Sequence, residues 1–514
     1  MGKGEILFTE GPLNKKILKF VLPLVMAYFI QQAYSSADLI IVGHYMGKNA
    51  SAAIGASSLL ITIAIGLFSG LAMGVSMLFA RAYGAGDNER KKKIYHCSYR
   101  VAVALGIGVT VAGFIFSPYL LKLMQTPDDI FELTVIYFRI YFLGITFMAV
   151  FEMFASIIRA VGNSSVPMIF QTIAGGINVI LDLILVNILD NGIVAVSVAT
   201  VIAQGIGVVL ISVYLAKNMR KIFNGDTNVV HKKSGKTNEC EEINDKSVEA
   251  VVGELNNHDT SGDRTKKDEK GNDKTSVKDA PADNNREKSK EKYMTSDNIV
   301  SAIFALGMPV ALQTMVMSIS NMFLQANINT LGVDTITAYT AFFKIELFIY
   351  YPAVSVGQAL LIASNQNIGA GKTERISLVI KTCLKIGLAM IIPLETLETI
   401  FAPYLVSIFN SEPGVIEVGT QIIRIIAPFY VVYLIYECMS NAVRAMGKTI
   451  TATVVSITTF VGLRTFLYII INVLNIQSVV NVSVIYISTW CLAVVLLMII
   501  WNKLRKTAVG NDMA

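Results

Sequence analysis

An all-α integral membrane protein, with twelve transmembrane helices in two pseudo-symmetric six-helix lobes, is the fold class predicted by three features of this sequence. The first is composition: 54% of the 514 residues are hydrophobic and 16% charged, where a soluble chain carries about 25% charged residues. The second is a series of apolar runs, each long enough for the roughly 20 residues that a spanning helix needs. The third is a duplication. Gly84-Ala85-Gly86 returns as Gly369-Ala370-Gly371, Phe116 and Pro118 as Phe401 and Pro403, and Arg159-Ala160 with Gly162 as Arg444-Ala445 with Gly447, all at an offset of 285. Duplicated membrane halves are the usual build of secondary transporters.

Taken in order, the predicted spans of the first half lie near 17–43, 52–80, 94–117, 131–161, 166–189 and 192–216. Those of the second half lie near 299–330, 335–364, 376–402, 416–446, 450–474 and 478–502. Pro23 and Pro309, near the start of each half, are natural kink points. The first run is far longer than the apolar region of a signal peptide, so it is expected to stay as a span. Lysine and arginine set the orientation. Lys15, Lys16 and Lys19, then Arg90 to Lys93, Arg159, Lys217, Arg220 and Lys221 fall on one side, and the second half continues the alternation through Lys372, Arg375, Arg444, Lys448, Lys503, Arg505 and Lys506. The positive-inside rule therefore puts both termini in the cytoplasm.

This divides the chain into a first lobe over 1–216, a linker over 217–298 and a second lobe over 299–514. Lys, Glu, Asp, Asn, Ser and Thr dominate the linker, as in Arg264-Thr265-Lys266-Lys267-Asp268-Glu269-Lys270. Such a segment buries too little apolar area to offset its ordering entropy, so it is expected to be disordered on the cytoplasmic side.

Several function classes are excluded. Gly371-Lys372-Thr373 and Gly447-Lys448-Thr449 mimic the end of a phosphate-binding loop, but Gln366 and Ala442 stand where that loop requires glycine. With no ATP-hydrolysing module, energy must come from an ion gradient or the substrate's own gradient. The five cysteines have no C-x-x-C spacing, and no hydrolase constellation is present, so neither a zinc site nor an enzyme is expected. The net charge of +6 lies beside apolar segments, and it is read as orientation signal rather than nucleic-acid binding.

Ionisable residues inside spans mark a pathway or an ion site. In the first half these are Asp38 on span one and Asp182 on span five. Asn178 precedes Asp182 by one turn and shares its face. Counting from the outer ends at 1.5 Å per residue, Asp38 lies about 8 Å deep, Asp182 about 10 Å and Thr200 on span six about 12 Å. Two carboxylates, an amide oxygen and a hydroxyl thus converge at one level, a set suited to a hard monovalent cation or a shared proton. Subtracting the halves sharpens this choice. At the repeat offset Asn178, Asp182 and Thr200 become Leu463, Leu467 and Ile485, and Asp38 falls near Phe323 and Leu324. The second half has Lys344 and Glu346 on span eight, where the first has Leu59 and Ile61. Glu346, with Gln313 and Asn321 of span seven, forms a candidate substrate cavity. Glu152, Glu437, Arg139 and Arg424 occur in both halves, and are read as frame.

Ala80-Arg81-Ala82-Tyr83-Gly84-Ala85-Gly86-Asp87, its second copy Asn365-Gln366-Asn367-Ile368-Gly369-Ala370-Gly371, and Arg159 through Gly162-Asn163, Pro167, Asn178 and Asp182 resemble the signatures of the MATE (multidrug and toxic compound extrusion) transporters. The resemblance covers all twelve spans. It implies a V-shaped pair of lobes, alternating access, and export of small organic cations and drugs across the plasma membrane by a monomer in exchange for Na+ or H+, with no other cofactor. It places the coupling-ion site on Asp38, Asn178, Asp182 and Thr200, with Asp38 and Asp182 as the Na+ ligands if sodium is the ion. The alternative is a flippase for lipids or lipid-linked oligosaccharides of the same superfamily, whose cavities tend to be basic.

Overall fold

The computed structural model describes residues 5–124, 126–189, 192–224 and 296–511. The predicted disordered linker lies almost wholly outside them. Among the described residues the secondary structure is helical, with no strand. Among the described residues eleven helical segments are long and apolar enough to cross a membrane, and a bent pair supplies a twelfth.

The first departure from expectation is α1, which runs from Leu13 to Ala85, 73 residues without interruption. Two spans and a loop near Lys48 are predicted there. A straight helix of that length would measure about 110 Å, yet both ends of α1 meet one residue. Just before its start, the Phe8 N–H donates to Gln366 Oε1 at 2.9 Å. Near its end, a Cβ on Gly84 would stand 2.0 Å from the Gln366 carbonyl oxygen. The run therefore doubles back and supplies both predicted spans, Leu13–Tyr34 and Ala52–Ala85.

The rest of the first lobe is α2 (Asn88–Leu123), α3 (Asp128–Leu143), α4 (Ile145–Ala160), α5 (Ser165–Ile188) and α6 (Gly192–Asn224). Predicted span four is the pair α3 and α4, bent by 42° at Gly144, where a side chain would strike Gln204. The second lobe holds α7 (Ser296–Asn329), α8 (Val333–Ile345), α9 (Leu347–Gly369), α10 (Ile376–Ser407), α11 (Pro413–Ile426), α12 (Tyr430–Ala445), α13 (Thr449–Ile457), α14 (Arg464–Val473) and α15 (Val479–Asn511). Predicted span eight is broken at Glu346, which ends α8 and precedes α9. Span ten is broken by a 3-10 turn over Ala427–Phe429. Span eleven carries a π-helical segment, Thr458–Leu463, between α13 and α14.

The duplication is visible in the backbone. Gly86 and Gly371 have φ of 69° and 68°, and Gly162 and Gly447 have 84° and 83°. Glycine recurs because left-handed helix ends recur. The lobes meet where the repeats face each other. Gly84 abuts Gln366, and reciprocally a Cβ on Gly369 would lie 2.0 Å from the Arg81 carbonyl oxygen. Arg81 Nη2 donates to the Ala445 carbonyl at 2.7 Å, and Gln366 Nε2 donates to the Ala160 carbonyl at 2.8 Å. Arg81 and Gln366 are one repeat apart, as are Ala160 and Ala445, so a pseudo-twofold axis passes through this seam. Farther along, Gly70 and Gly74 of α1 let α7 approach at Ala311 and Gly307, the close packing that small residues permit. Tyr28 stacks on Tyr351 with centroids 4.7 Å apart, and Gln358 donates to the Tyr28 hydroxyl at 2.6 Å.

A short strap before α1 crosses the same end of the seam. Ile6 donates its N–H to the Val161 carbonyl of the first lobe at 3.1 Å. From the second lobe, Lys372 Nζ reaches the Thr9 carbonyl at 3.2 Å and Asn367 Nδ2 the Phe8 carbonyl at 3.4 Å.

Candidate functional site

The first-lobe candidates lie on helices whose register is fixed by contacts beneath them. Gln171, Gly175, Asn178 and Asp182 recur at helical spacing along one face of α5. Below the site, Gln171 Nε2 donates to Gln31 Oε1 at 3.0 Å. One turn on, Gly175 makes room for the Tyr34 ring, which would stand 2.4 Å from a Cβ there. Two successive pairings between α1 and α5, at 31 with 171 and 34 with 175, set the next turn: position 38 comes level with 178 and 179. Asp38 is helical in α1, and its side chain lies outside those described, so its place here is a register position.

Asn178 is 4% exposed and Asp182 0%, buried on α5 where it packs against α6. Asn178 Nδ2 approaches Thr200 Oγ1 at 3.5 Å, and the Thr200 hydroxyl donates to the Val196 carbonyl at 3.0 Å. The Thr200 oxygen thus keeps lone pairs for an incoming group. Asn178, Asp182 and Thr200 are brought to one α5–α6 junction, with α1 beside it in the register above. The donor set is all oxygen and carries formal negative charge, which fits Na+ or a proton held between acids. Sequence reasoning missed Gln31, Tyr34, Gln171 and Gln204. The stripe of polar and small residues on α5 was the signal for Gln171, and Gln204 follows Thr200 by one turn.

The second-lobe candidates separate. Glu346 is buried at the break between α8 and α9, and the Tyr430 hydroxyl donates to its Oε2 at 2.5 Å. Lys344, two residues away, is exposed, as expected for positions that do not share a helix face. Gln313 is tied at both ends of its amide: its Oε1 accepts from Arg444 Nη2 at 2.7 Å, and its Nε2 donates to the Tyr436 hydroxyl at 3.3 Å. Asn321 is exposed and does not join them. Sequence reasoning also missed Glu395 and Glu398 on α10 and Arg464 at the start of α14, all buried.

The residues common to both halves hold each lobe together. Arg159 pairs with Glu152 at 3.0 Å. In the second lobe Asn441 bridges the equivalent pair, donating to Glu437 Oε2 at 2.9 Å and accepting from Arg444 at 3.4 Å. Arg444→Met should lower second-lobe stability by about 3 kcal/mol, because Gln313 and Glu437 lose a buried charged partner. Thermal unfolding of the purified protein measures this, and an unchanged melting temperature would contradict a structural role.

A duplicated helical membrane bundle, with buried carboxylates inside its spans and no catalytic constellation among the described residues, defines the class as a two-lobed membrane transporter. The profile of the MatE family matches residues 23–184 and 309–470, one copy in each half. The chain belongs to the MatE family, a family of multidrug efflux transporters. It is 22% identical over 457 residues to the probable multidrug resistance protein YpnP of Bacillus subtilis, covering 89% of this chain and 88% of that one. It is 20% identical over 450 residues to the multidrug export protein MepA of Staphylococcus aureus, covering 88% of this chain and 85% of that one. Among solved structures, a MOP superfamily transporter from Pyrococcus furiosus superposes with a TM-score of 0.77 at 19% identity, over 98% of both chains. A MATE in complex with MaL6 gives 0.78 at 20% identity, over 99% of this chain and 100% of that one.

Proposed function

We propose that the protein is a secondary antiporter that exports small organic cations and drugs from the cytoplasm in exchange for Na+ or H+, acting as a monomer in the plasma membrane with both termini cytoplasmic. The observation that carries this reading is the Asn178–Asp182–Thr200 junction, a fully buried carboxylate beside an amide and a hydroxyl, at positions whose repeat counterparts Leu463, Leu467 and Ile485 are apolar. An unneutralised carboxylate at that depth is costly, so the site alternates between ion-bound and ion-free forms as the lobes change their exposure. With the ion absent, the charged site favours the substrate-loaded form. Ion entry from outside neutralises Asp38 and Asp182, alters the packing of α1 on α5, and favours release.

The test is transport in liposomes holding the purified protein, with ethidium as probe and Na+ and H+ gradients imposed separately. Ethidium should move only under one or both gradients. Equal movement without a gradient would overturn the antiport reading, and movement of a fluorescent lipid alone would replace it with a flippase. Thr200→Val keeps the shape but removes the hydroxyl. It should raise the ion concentration for half-maximal transport about fivefold to tenfold, the effect of one lost oxygen contact, while an unchanged value would remove Thr200 from the site.

A further inference from the structure

Arg139 and Arg424 are one repeat apart, and the structure uses neither as it uses Arg159 and Arg444. Arg139 is half-buried and Arg424 exposed. Each lies on a helical stripe that its lobe leaves uncovered, with Glu132, Ile136 and Arg139 on α3 and their repeat images Glu417, Gln421 and Arg424 on α11. Apolar side chains beside the stripes are exposed as well, Phe114 on α2 and Leu143 on α3, and Ile400 and Phe401 on α10. These stripes therefore face the acyl chains of the bilayer. Both arginines stand eleven residues into their helices (139 − 128 and 424 − 413), about 16 Å along the axis. Span four ends at the strap, where Val161 takes the Ile6 N–H, so α3 begins at the opposite membrane face. The arginines thus lie at the hydrocarbon edge of that face, within snorkelling reach of its headgroups.

Two contrasts show that these charges are held for something outside the chain. Glu152 and Arg159 close a seven-residue spacing with an ion pair of 3.0 Å. Glu132 and Arg139, and Glu417 and Arg424, have the same spacing in the same order, yet among the described residues neither pair closes. The second contrast is in the anchoring. Pro118 of α2 has no N–H for the carbonyl of Phe114, four residues back. Arg139 Nε donates to that carbonyl at 3.2 Å and to Ser117 Oγ at 3.0 Å, and its guanidinium lies 5.1 Å from the centroid of the Phe114 ring. One edge of the guanidinium is fixed. Its two Nη groups have no hydrogen-bond partner among the described residues, and Arg424 has none there at all.

We propose that each lobe binds one zwitterionic phospholipid at this face, with its phosphate on the arginine and its ammonium on the glutamate two turns outward. A guanidinium without an acid beside it is costly in a bilayer, and phosphate is the anion that the bilayer itself supplies at this edge. The Nη groups suit two phosphate oxygens at once. The glutamate settles the lipid class. It stands seven residues, about 10 Å, nearer to water, on the side where a phosphoethanolamine headgroup carries its ammonium. A glycerol headgroup would set no positive charge against Glu132 or Glu417. A choline headgroup brings a cation with no N–H to donate. Phosphatidylethanolamine meets both charges, and it is the occupant we assign.

This proposal does not rest on the antiport reading, and ethidium transport plays no part in its test. Native mass spectrometry of the purified full chain, with phosphatidylethanolamine, phosphatidylglycerol or phosphatidylcholine added at equal concentration, counts the lipids that stay bound. The parent should hold two phosphatidylethanolamine molecules, each at least about tenfold more tightly than the other two lipids, the weight of a charge-assisted hydrogen bond. Arg139→Gln and Arg424→Gln should each remove one lipid, and the double variant both. Arg424 has no bond to the chain to lose, so Arg424→Gln keeps the test decisive even if Arg139→Gln fails to fold. Glu132→Gln combined with Glu417→Gln should let phosphatidylglycerol compete equally. Undiminished phosphatidylethanolamine binding by Arg424→Gln overturns the proposal. Equal retention of all three lipids by the parent does the same, and so does a preference for phosphatidylglycerol, which would leave the glutamates without a role.

Discussion

Asp182→Asn should abolish ion-driven efflux while leaving a folded protein. The substitution keeps the volume and hydrogen-bonding capacity of a side chain that is 0% exposed, and removes only its charge. Losing a charged contact costs about 1.5–3 kcal/mol, a tenfold to hundredfold weakening of ion binding. In the proposed antiport cycle that binding drives release, so ethidium efflux should fall to the rate of protein-free liposomes at ion concentrations that saturate the unaltered transporter. Asp38→Asn should behave alike, because its register on α1 places it level with Asn178. Melting temperatures within about 2 °C of the parent would show that folding survives, as expected for an isosteric change. Full efflux by either variant would remove the carboxylate from the coupling site.

Gly84→Val and Gly369→Val should each force the lobes apart at the seam. A Cβ at either position would lie 2.0 Å from a backbone carbonyl oxygen of the opposite lobe, and no rotamer relieves a clash with backbone. Overpacking of this kind costs about 1–3 kcal/mol when neighbours can shift, and here the neighbour that shifts is a whole lobe. The strap provides the readout. In the parent, the Ile6 and Phe8 amides are bonded to Val161 and Gln366 and should exchange slowly with deuterium. In either variant their exchange should speed up at least tenfold, about the 1.4 kcal/mol equivalent of one lost contact. Unchanged protection in both would mean that the seam tolerates separation without opening the strap.

Much of this fold was legible because membrane constraints write themselves into sequence. Apolar runs located the spans to within a few residues, and the offset between Arg159 and Arg444 identified the two lobes. Both signals come from backbone needs that hold whatever the lobe carries. The same logic explains what was lost. The Lys48 loop prediction relied on a polar gap, and the reversal of α1 falls between its two spans, Leu13–Tyr34 and Ala52–Ala85. The breaks at Gly144 and Glu346 have no proline to announce them. The site was half legible: Asn178, Asp182 and Thr200 stand out as polar residues without a counterpart in the second half. Glu398 and Arg464 were equally unmatched, yet each sits within a run apolar enough to be read as plain span. Their partners on α8, α12 and α15 come together only in the folded lobe. Conversely Gln313 resembled a cavity residue in sequence and is fully engaged by Arg444 and Tyr436.

The Arg81 and Gln366 bonds across the seam, together with the strap, also set a population. At about 1 kcal/mol net for each of four hydrogen bonds (Arg81 to Asn365 and to Ala445, Gln366 to Ala160, and Phe8 to Gln366), these contacts hold the form open at this face roughly 4 kcal/mol above the closed one. Without substrate, roughly one molecule in a thousand would then be open there. A substrate arriving from that side binds only this minority, so its apparent affinity is weaker than its intrinsic affinity by the same factor of about a thousand. Loosening the seam should therefore make binding from that side look tighter without touching any residue that contacts the substrate.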